Sequence, residues 1–331
     1  MDFDGDGTLD LISGSYDPGE VYLFRGQGRG KFAAREVIKD RGGRPIVKVR
    51  DQKQPVESFG SWTALVDWDD DGDMDILVGT YDGMIFLRRN EGSRTKPAYA
   101  TRNEWVKVGT KPLRVPGGEH ANPVIADWDG DGLWDIVTGA GDGGVYWYRN
   151  AGRRGRPEFE APVTLVAKHE GIGYSELLEP GKVQKPGIRS QIAVTDYDGD
   201  GKLDVLLGDF CTYLHVRADL TPDQTRAFAE LRRKEDAATK FLRDSVEALR
   251  AKFKEDMKGV PQSDWNSPEN SAKWQAAHKA MSDSPDYQRN MAEYQRLQKE
   301  VLEYVNSSTA GKQPGADPAV AHGYVWLFRR R

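Results

Sequence analysis

Four stretches decide how this chain is read: DFDGDGTLDLI from Asp2, DWDDDGDMDIL from Asp67, DWDGDGLWDIV from Asp127 and DYDGDGKLDVL from Asp196. They are copies of one pattern set about 60 to 70 residues apart, and repetition at such a period points to an array of like units. The last three copies each follow a short apolar stretch: SWTALV from Ser61, NPVIA from Asn122 and QIAVT from Gln191. All four run into an apolar segment closed by glycine, at Gly14, Gly79, Gly139 and Gly208. Both flanks have strand composition. A third strand is expected at EVYLFRG from Glu20, MIFLRRN from Met84 and GVYWYRN from Gly144. A more variable fourth follows a linker that reaches Phe32, Tyr99 or Phe159. Four short strands per repeat of this length is the plan of an antiparallel blade, and blades in series build an all-β propeller.

The loop between the first two strands of each blade carries the chemistry. Carboxylates fall at loop positions 1, 3, 5 and 9: Asp2, Asp4, Asp6 and Asp10; Asp67, Asp69, Asp71 and Asp75; Asp127, Asp129, Asp131 and Asp135; Asp196, Asp198, Asp200 and Asp204. So many negative charges repel unless a hard cation neutralises them, and all-oxygen ligation selects calcium over zinc or copper. Glycine at position 6 (Gly7, Gly72, Gly132, Gly201) permits the positive φ that wraps such a loop. The carbonyl at position 7 (Thr8, Asp73, Leu133, Lys202) is expected to face the ion. A helix-flanked EF-hand loop needs a bidentate Glu at position 12. Ser13, Val78, Thr138 and Leu207 stand there, inside strand-like runs, which excludes it. The expected cofactor is Ca²⁺, up to four ions, clamping hairpins in a fold that has no disulfide to do so.

D-x-D-G-D-G-x-x-D, an aliphatic residue, a nearby glycine and a VYLFRG-like strand together resemble the FG-GAP/VCBS repeat family, the blades of integrin-α-type and bacterial secreted propellers. The resemblance covers roughly residues 1–217 and 319–331. It implies a propeller with calcium in the hairpin loops, a secreted, periplasmic or cell-surface location, and a binding or adhesion role toward a protein or glycan. Some proteins with similar propellers act on glycans, so the alternative is a carbohydrate-active enzyme of polysaccharide-lyase type.

The fourth repeat breaks its plan after VLLGDFCTYLHVR, from Val205 to Arg217. Thr221-Pro222-Asp223-Gln224 offers an N-cap, a proline at the first helical position and a capping-box Gln. Phe228, Leu231, Ala238, Leu242, Val246, Leu249 and Phe253 then recur at helical spacing. A break near Pro261 to Pro268 leads to a shorter helix around Ala272 to Met281. A third helix starts at Ser284-Pro285, with Tyr287, Met291, Tyr294, Leu297, Val301 and Tyr304 on one face. The expectation is an antiparallel helical hairpin with its linker, residues 218–318, inserted in the last blade. The hairpin reads as a solvated spacer, or as a partner-binding or self-associating coiled coil. The string HGYVWLFRR from His322 matches GGVYWYRN from Gly143, so residues 319–331 are expected to return as the blade's third strand; residues 209 to 217 read either as an extension of its second strand or as a stalk.

Met1 stands where the other repeats have their innermost strand, and Arg331 falls at the end of a third strand. The expectation is therefore an incomplete or truncated propeller of four repeats, with its signal peptide missing upstream. Lys and Arg number 47 against 52 Asp and Glu, a net charge of −5, which argues against a partner recruited by bulk positive charge, nucleic acid above all. No apolar run is long enough to span a membrane. The single cysteine, Cys211, excludes an intrachain disulfide framework and a Cys-rich metal site, and it is not read as a thiol catalyst. His169, His215, His278 and His322 show no ligand spacing.

Residues at the start of a propeller's innermost strands line its central channel, on the face opposite the acidic loops. Trp62, Glu119, His120, Arg189 and Gln191 hold those positions and are the candidate ligand-binding residues. The plainer reading is that they cap strands and border a hydrated channel. No acid–base or nucleophile set is recognisable, so no catalytic residue is assigned.

Overall fold

The computed structural model describes residues 2–48, 60–169, 175–178, 185–260, 267–305 and 320–330, with 175–178 and 320 as backbone only. The expected linker at 306–318 and most of the break at 261–268 lie outside the described residues. The chain divides into two units, one comprising Met1–Glu176, Gln184–Thr212 and Ala321–Arg331, the other Leu177–Val183 and Tyr213–Val320.

The first unit is a series of small sheets, one per repeat. β1 (Leu11–Gly14), β2 (Val21–Phe24) and β3 (Glu36–Val37) form the first sheet; β4 (Ser61–Val66), β5 (Asp75–Thr80), β6 (Ile85–Arg88) and β7 (Glu104–Trp105) form the second. β8 (Lys107–Val108) and β9 (Lys111–Pro112) make a separate small hairpin. β10 (Asn122–Ala126), β11 (Asp135–Gly139), β12 (Val145–Tyr148) and β13 (Val163–Val166) form the third sheet. In the fourth, β16 (Asp204–His215) pairs with β14 (Ser175–Leu178), β15 (Ile188–Thr195), β17 (Val320–His322) and β18 (Val325–Phe328).

One register recurs in every sheet, for Gly14 lies opposite Val21, Gly79 opposite Ile85, Gly139 opposite Val145 and Gly208 opposite Val325. The repeat seen in sequence is thus a repeat in backbone pairing. The last of these pairs also shows the chain completing the fourth sheet after the helices. The fourth sheet departs from the three strands expected of it, because β14 and β17 join it and β16 runs on to His215, which resolves residues 209 to 215 as strand. Phe32, Tyr99 and Phe159 do not begin fourth strands. They close tight loops by single bridges to Gly26, Asn90 and Asn150, and the outer strands start later, at Glu36, Glu104 and Val163. In the second and third repeats the physical reason is the Asn side chain: Oδ1 of Asn90 accepts from Gly92 and Ala98, and Oδ1 of Asn150 from Gly152 and Glu158, so the linker curls before it extends.

The core lies between successive sheets. Val21, Leu23, Leu65, Ile76, Val78 and Phe86 pack the first sheet on the second; Leu77, Ile85, Leu87, Ile136, Tyr146 and Tyr148 pack the second on the third; Val137, Val145, Val205 and Leu207 pack the third on the fourth. β5 and β11 are buried along their whole length because each has a neighbour on both faces, and each such aliphatic or aromatic side chain contributes about 1.5–3 kcal/mol by leaving water. The far face of the fourth sheet differs: Val325 is 76% exposed, whereas its counterparts Val21, Ile85 and Val145 are 0% exposed. Among the described residues no core cluster joins the first sheet to the fourth.

The second unit is helical. α1 (Pro222–Asp256) starts with the expected capping box, Gln224 N donating to Thr221 Oγ1 and Thr221 N donating to Gln224 Oε1. α2 (Pro268–Ser282) and α3 (Pro285–Val301) begin with Ser267 and Ser284 as N-caps. Packing is tightest where Phe228, Leu231 and Ala238 of α1 meet Leu297 and Val301 of α3, joined by Val216 and Val305. Farther along, Leu242, Val246, Leu249 and Phe253 are only half-buried.

Candidate metal centres

Each acidic loop is folded by its own carboxylates. The position-1 side chain accepts from backbone N–H groups across the turn, as where Asp127 takes Gly130 N and Gly132 N, both at 2.9 Å. The position-5 carboxylate accepts from the residue at position 7: Asp6 from Thr8, Asp71 from Asp73, Asp131 from Leu133 and Asp200 from Lys202. Wrapping the turn this tightly requires left-handed backbone at position 6, and Gly7, Gly72, Gly132 and Gly201 have φ between 85 and 92°. Asp70 takes the same conformation at position 4, φ 62°, where the other loops have glycine.

The result is convergence of charge. In the first three loops the carboxylates at positions 1, 3 and 5 bring ligand atoms within 4.8 Å of one another: Asp2, Asp4 and Asp6; Asp67, Asp69 and Asp71; Asp127, Asp129 and Asp131. In the fourth, Asp196, Asp198 and Asp204 do so. Two oxygens, Asp129 Oδ1 within the third set and Asp73 Oδ1 beside the second, are buried without a hydrogen-bond partner. A buried carboxylate oxygen left without a donor costs free energy unless a cation meets it. The donor set is all oxygen and mostly anionic, which fits a hard divalent ion. Burial first, then the charges of Asp71, Asp69 and Asp67, push the Asp73 carboxyl up to about 6.

The position-9 aspartates expected as ligands lie outside the converging sets of the first three loops, Asp204 alone joining its set, and each holds two backbone N–H groups. Oδ2 of Asp10, Asp75, Asp135 and Asp204 accepts the N–H of loop position 2, from Phe3, Trp68, Trp128 and Tyr197. Oδ1 accepts the N–H just past the third strand, from Gly26, Asn90, Asn150 and Arg330. These carboxylates are buried, and burial pushes that of Asp75 up to about 7 and raises that of Asp135. Each one staples its acidic loop to the exit of the third strand.

That exit delivers a residue the motif reading passed over. Arg25, Arg89, Arg149 and Arg329 follow the third strand, and each forms an ion pair with the position-3 carboxylate of its loop, Asp4, Asp69, Asp129 and Asp198. The signal was present in the recurring arginine of VYLFRG, IFLRRN, VYWYRN and VWLFRR.

At the entry of the first strands the candidate ligand residues are partly assembled. His120 is 4% exposed. Its ring lies 5.4 Å from Trp62 and 4.4 Å from Tyr81, and the ring of Tyr81 lies 6.3 Å from Tyr16. Glu119 Oε2 stands 3.7 Å from His120 Nδ1. Burial first, then the charge of Arg189, hold the imidazole down at about 4. Gln191 accepts at 2.8 Å from Asn122 of the neighbouring first strand. His120 and Arg189 both have left-handed backbone, φ 54 and 57°, where the second repeat has Gly60. The cause is docking onto the preceding sheet, His120 N donating to Tyr81 O at 2.8 Å and Arg189 N to Gly141 O at 3.0 Å. Tyr16 and Tyr81 belong to this group although the sequence reading omitted them; the shared signal is the tyrosine two residues beyond Gly14 and Gly79. Cys211 is buried, its thiol 3.8 Å from the carbonyl oxygen of His322.

A family model described as FG-GAP-like repeat matches residues 2–50, 67–138 and 127–207. Cartilage acidic protein 1 of Xenopus tropicalis is 26% identical over 192 residues, which are 57% of this chain and 25% of that protein. The chain thus spans about a quarter of the length of this curated relative.

Proposed function

The chain belongs to the FG-GAP-like repeat family, and from that membership we propose an extracellular or cell-envelope binding module, a β-propeller whose blades each carry a structural calcium ion. The observation that carries this reading is the fourfold convergence of carboxylates, with Asp129 Oδ1 left buried and without a donor. Asp127, Asp129 and Asp131 would hold the ion in the third loop, with Asp135 fixing the loop's base; the first two loops repeat this set, and in the fourth Asp196, Asp198 and Asp204 would hold it. A bound divalent ion would supply charge neutralisation. The chain supplies the wrapped backbone and the staple to the third strand.

The extracellular assignment draws on the family and on a relative whose name refers to cartilage. No helix among the described residues is long and apolar enough to cross a membrane. The partner is a protein or a glycan, met by the face bearing Trp62, Glu119, Arg189 and Gln191. His120 is buried between aromatic rings and held neutral, an environment suited to a packing residue rather than to a proton-transfer group, so a binding role is favoured over the carbohydrate-active alternative. The helical unit is a candidate for self-association.

Retention of the chain on immobilised polysaccharides and extracellular-matrix proteins, with calcium and then with chelator, tests the proposal. Retention that chelator abolishes is expected. No retention on any of them, or new unsaturated sugar ends on incubation, would contradict it. Light scattering of the full chain in solution tests the helical assignment, for which a mass above one chain is expected.

A further inference from the structure

The arginine that closes the third strand of each repeat stands in the same relation to its acidic loop four times over. Arg25 pairs with Asp4, Arg89 with Asp69, Arg149 with Asp129 and Asp131 at 2.5 and 2.7 Å, and Arg329 with Asp198 at 3.4 Å. A single exposed ion pair of this kind is worth little. Two features separate these from ordinary surface pairs.

The first is the staple. The residue after each arginine donates its N–H to the buried position-9 carboxylate of the same loop, so the backbone that carries the guanidinium is held against the loop. The second is the choice of partner. The guanidinium takes position 3, one of the carboxylates of the converging set in every loop. In the third loop it occupies Asp129 Oδ2 while Oδ1 of the same carboxylate has no donor.

We propose that this arginine is an internal counter-ion that competes with the divalent cation for the position-3 carboxylate and so sets the affinity of each loop. The inference rests on the calcium reading of the loops and adds to it a residue that tunes binding. A fixed unit positive charge beside a divalent ion opposes its entry, and the guanidinium must give up a carboxylate oxygen for the ion to take it. In the metal-free chain the same arginine reduces repulsion among the aspartates and keeps the loop near its wrapped form. Affinity is thereby exchanged for order before binding.

The test is a calcium titration of the full chain by calorimetry, comparing wild type with Arg149→Gln and Arg329→Gln. Removing one positive charge from beside the converging carboxylates is expected to tighten one class of site about tenfold, while the metal-free melting temperature falls. Arg149→Lys keeps the charge without the two-oxygen fork and should lie between. If Arg149→Gln fails to fold, Arg329→Gln decides, since Arg329 is largely exposed and its loss leaves the core intact. A variant that gains binding where wild type shows none also supports the proposal. Wild type that binds calcium, with variants unchanged or weaker, overturns the counter-ion role alone. No binding by any of them overturns both this role and the calcium reading.

Discussion

A Cβ placed on Gly79 would stand 2.0 Å from the carbonyl oxygen of Ala121, the residue just before the next repeat's inner strand. The same relation holds between Gly14 and Ser61 at 1.9 Å and between Gly139 and Ser190 at 2.2 Å. The glycine that closes each second strand is therefore the seat of the following sheet. Alanine at Gly79 must push backbone away from backbone. Gly79→Ala is expected to cost about 3 kcal/mol or more and to lower the melting temperature by roughly 5 °C or more. Gly208 is the internal control, because its nearest neighbour is Gln191 O at 3.6 Å. Gly208→Ala should change stability by less than about 1 kcal/mol, and equal losses at both positions in calorimetry would show that the seat is not the cause.

Arg88 and Asp40 form an ion pair 3.6 Å long, both side chains almost wholly buried. Arg88 Nη1 also donates to Ala100 O at 2.6 Å. Arg88→Met strands the Asp40 carboxylate in the core, and loss of one partner from a buried pair costs about 3–5 kcal/mol. Denaturant unfolding should show that loss, and Arg88→Met combined with Asp40→Asn should recover part of it. A double variant no better than the single one would mean that the damage is to packing.

His120 makes the first unit acid-sensitive. Burial, then Arg189, lower its pKa from 6.5 to about 4, so between these values the unfolded chain binds a proton that the folded chain refuses. Stability is complete above about 6.5 and is lost as pH falls toward about 4. The loss at pH 5 amounts to about 2 kcal/mol, and Glu119, 3.7 Å away, is placed to offset part of it. Thermal melts at pH 7 and pH 5 should show a smaller acid loss in His120→Asn than in wild type; identical slopes would exclude His120 as the cause.

Much of this was legible in the sequence, and for identifiable reasons. Asp–x–Asp spacing and the glycine at position 6 are local requirements of a wrapped loop, so the carboxylate sets at Asp2, Asp67 and Asp127 could be read from neighbouring residues alone. The capping box at Thr221 is equally local. What the sequence left hidden depends on residues far apart. Arg149 lies 20 positions from Asp129, and only the pairing of β11 with β12 brings them together. The extra strands of the fourth sheet, β14 and β17, are short and lack the repeat's pattern. The closeness of Trp62, Tyr81 and His120 follows from docking between successive sheets, which no spacing rule encodes.

The loops also make separable contributions to ion binding. Asp129→Ala and Asp198→Ala each remove one of the converging carboxylates from a different loop, and each is expected to lower the number of bound calcium ions by about one. Adding chelator to wild type should lower the melting temperature sharply, and less so in the variants. Ion counts that stay at the wild-type value in both variants would place the ions elsewhere.

The most direct measurement is the calcium content of the folded full-length chain after exhaustive dialysis against calcium-buffered solution, read by elemental analysis against protein concentration. Up to four ions per chain are expected, one for each acidic loop. A folded chain that retains no calcium would contradict this expectation.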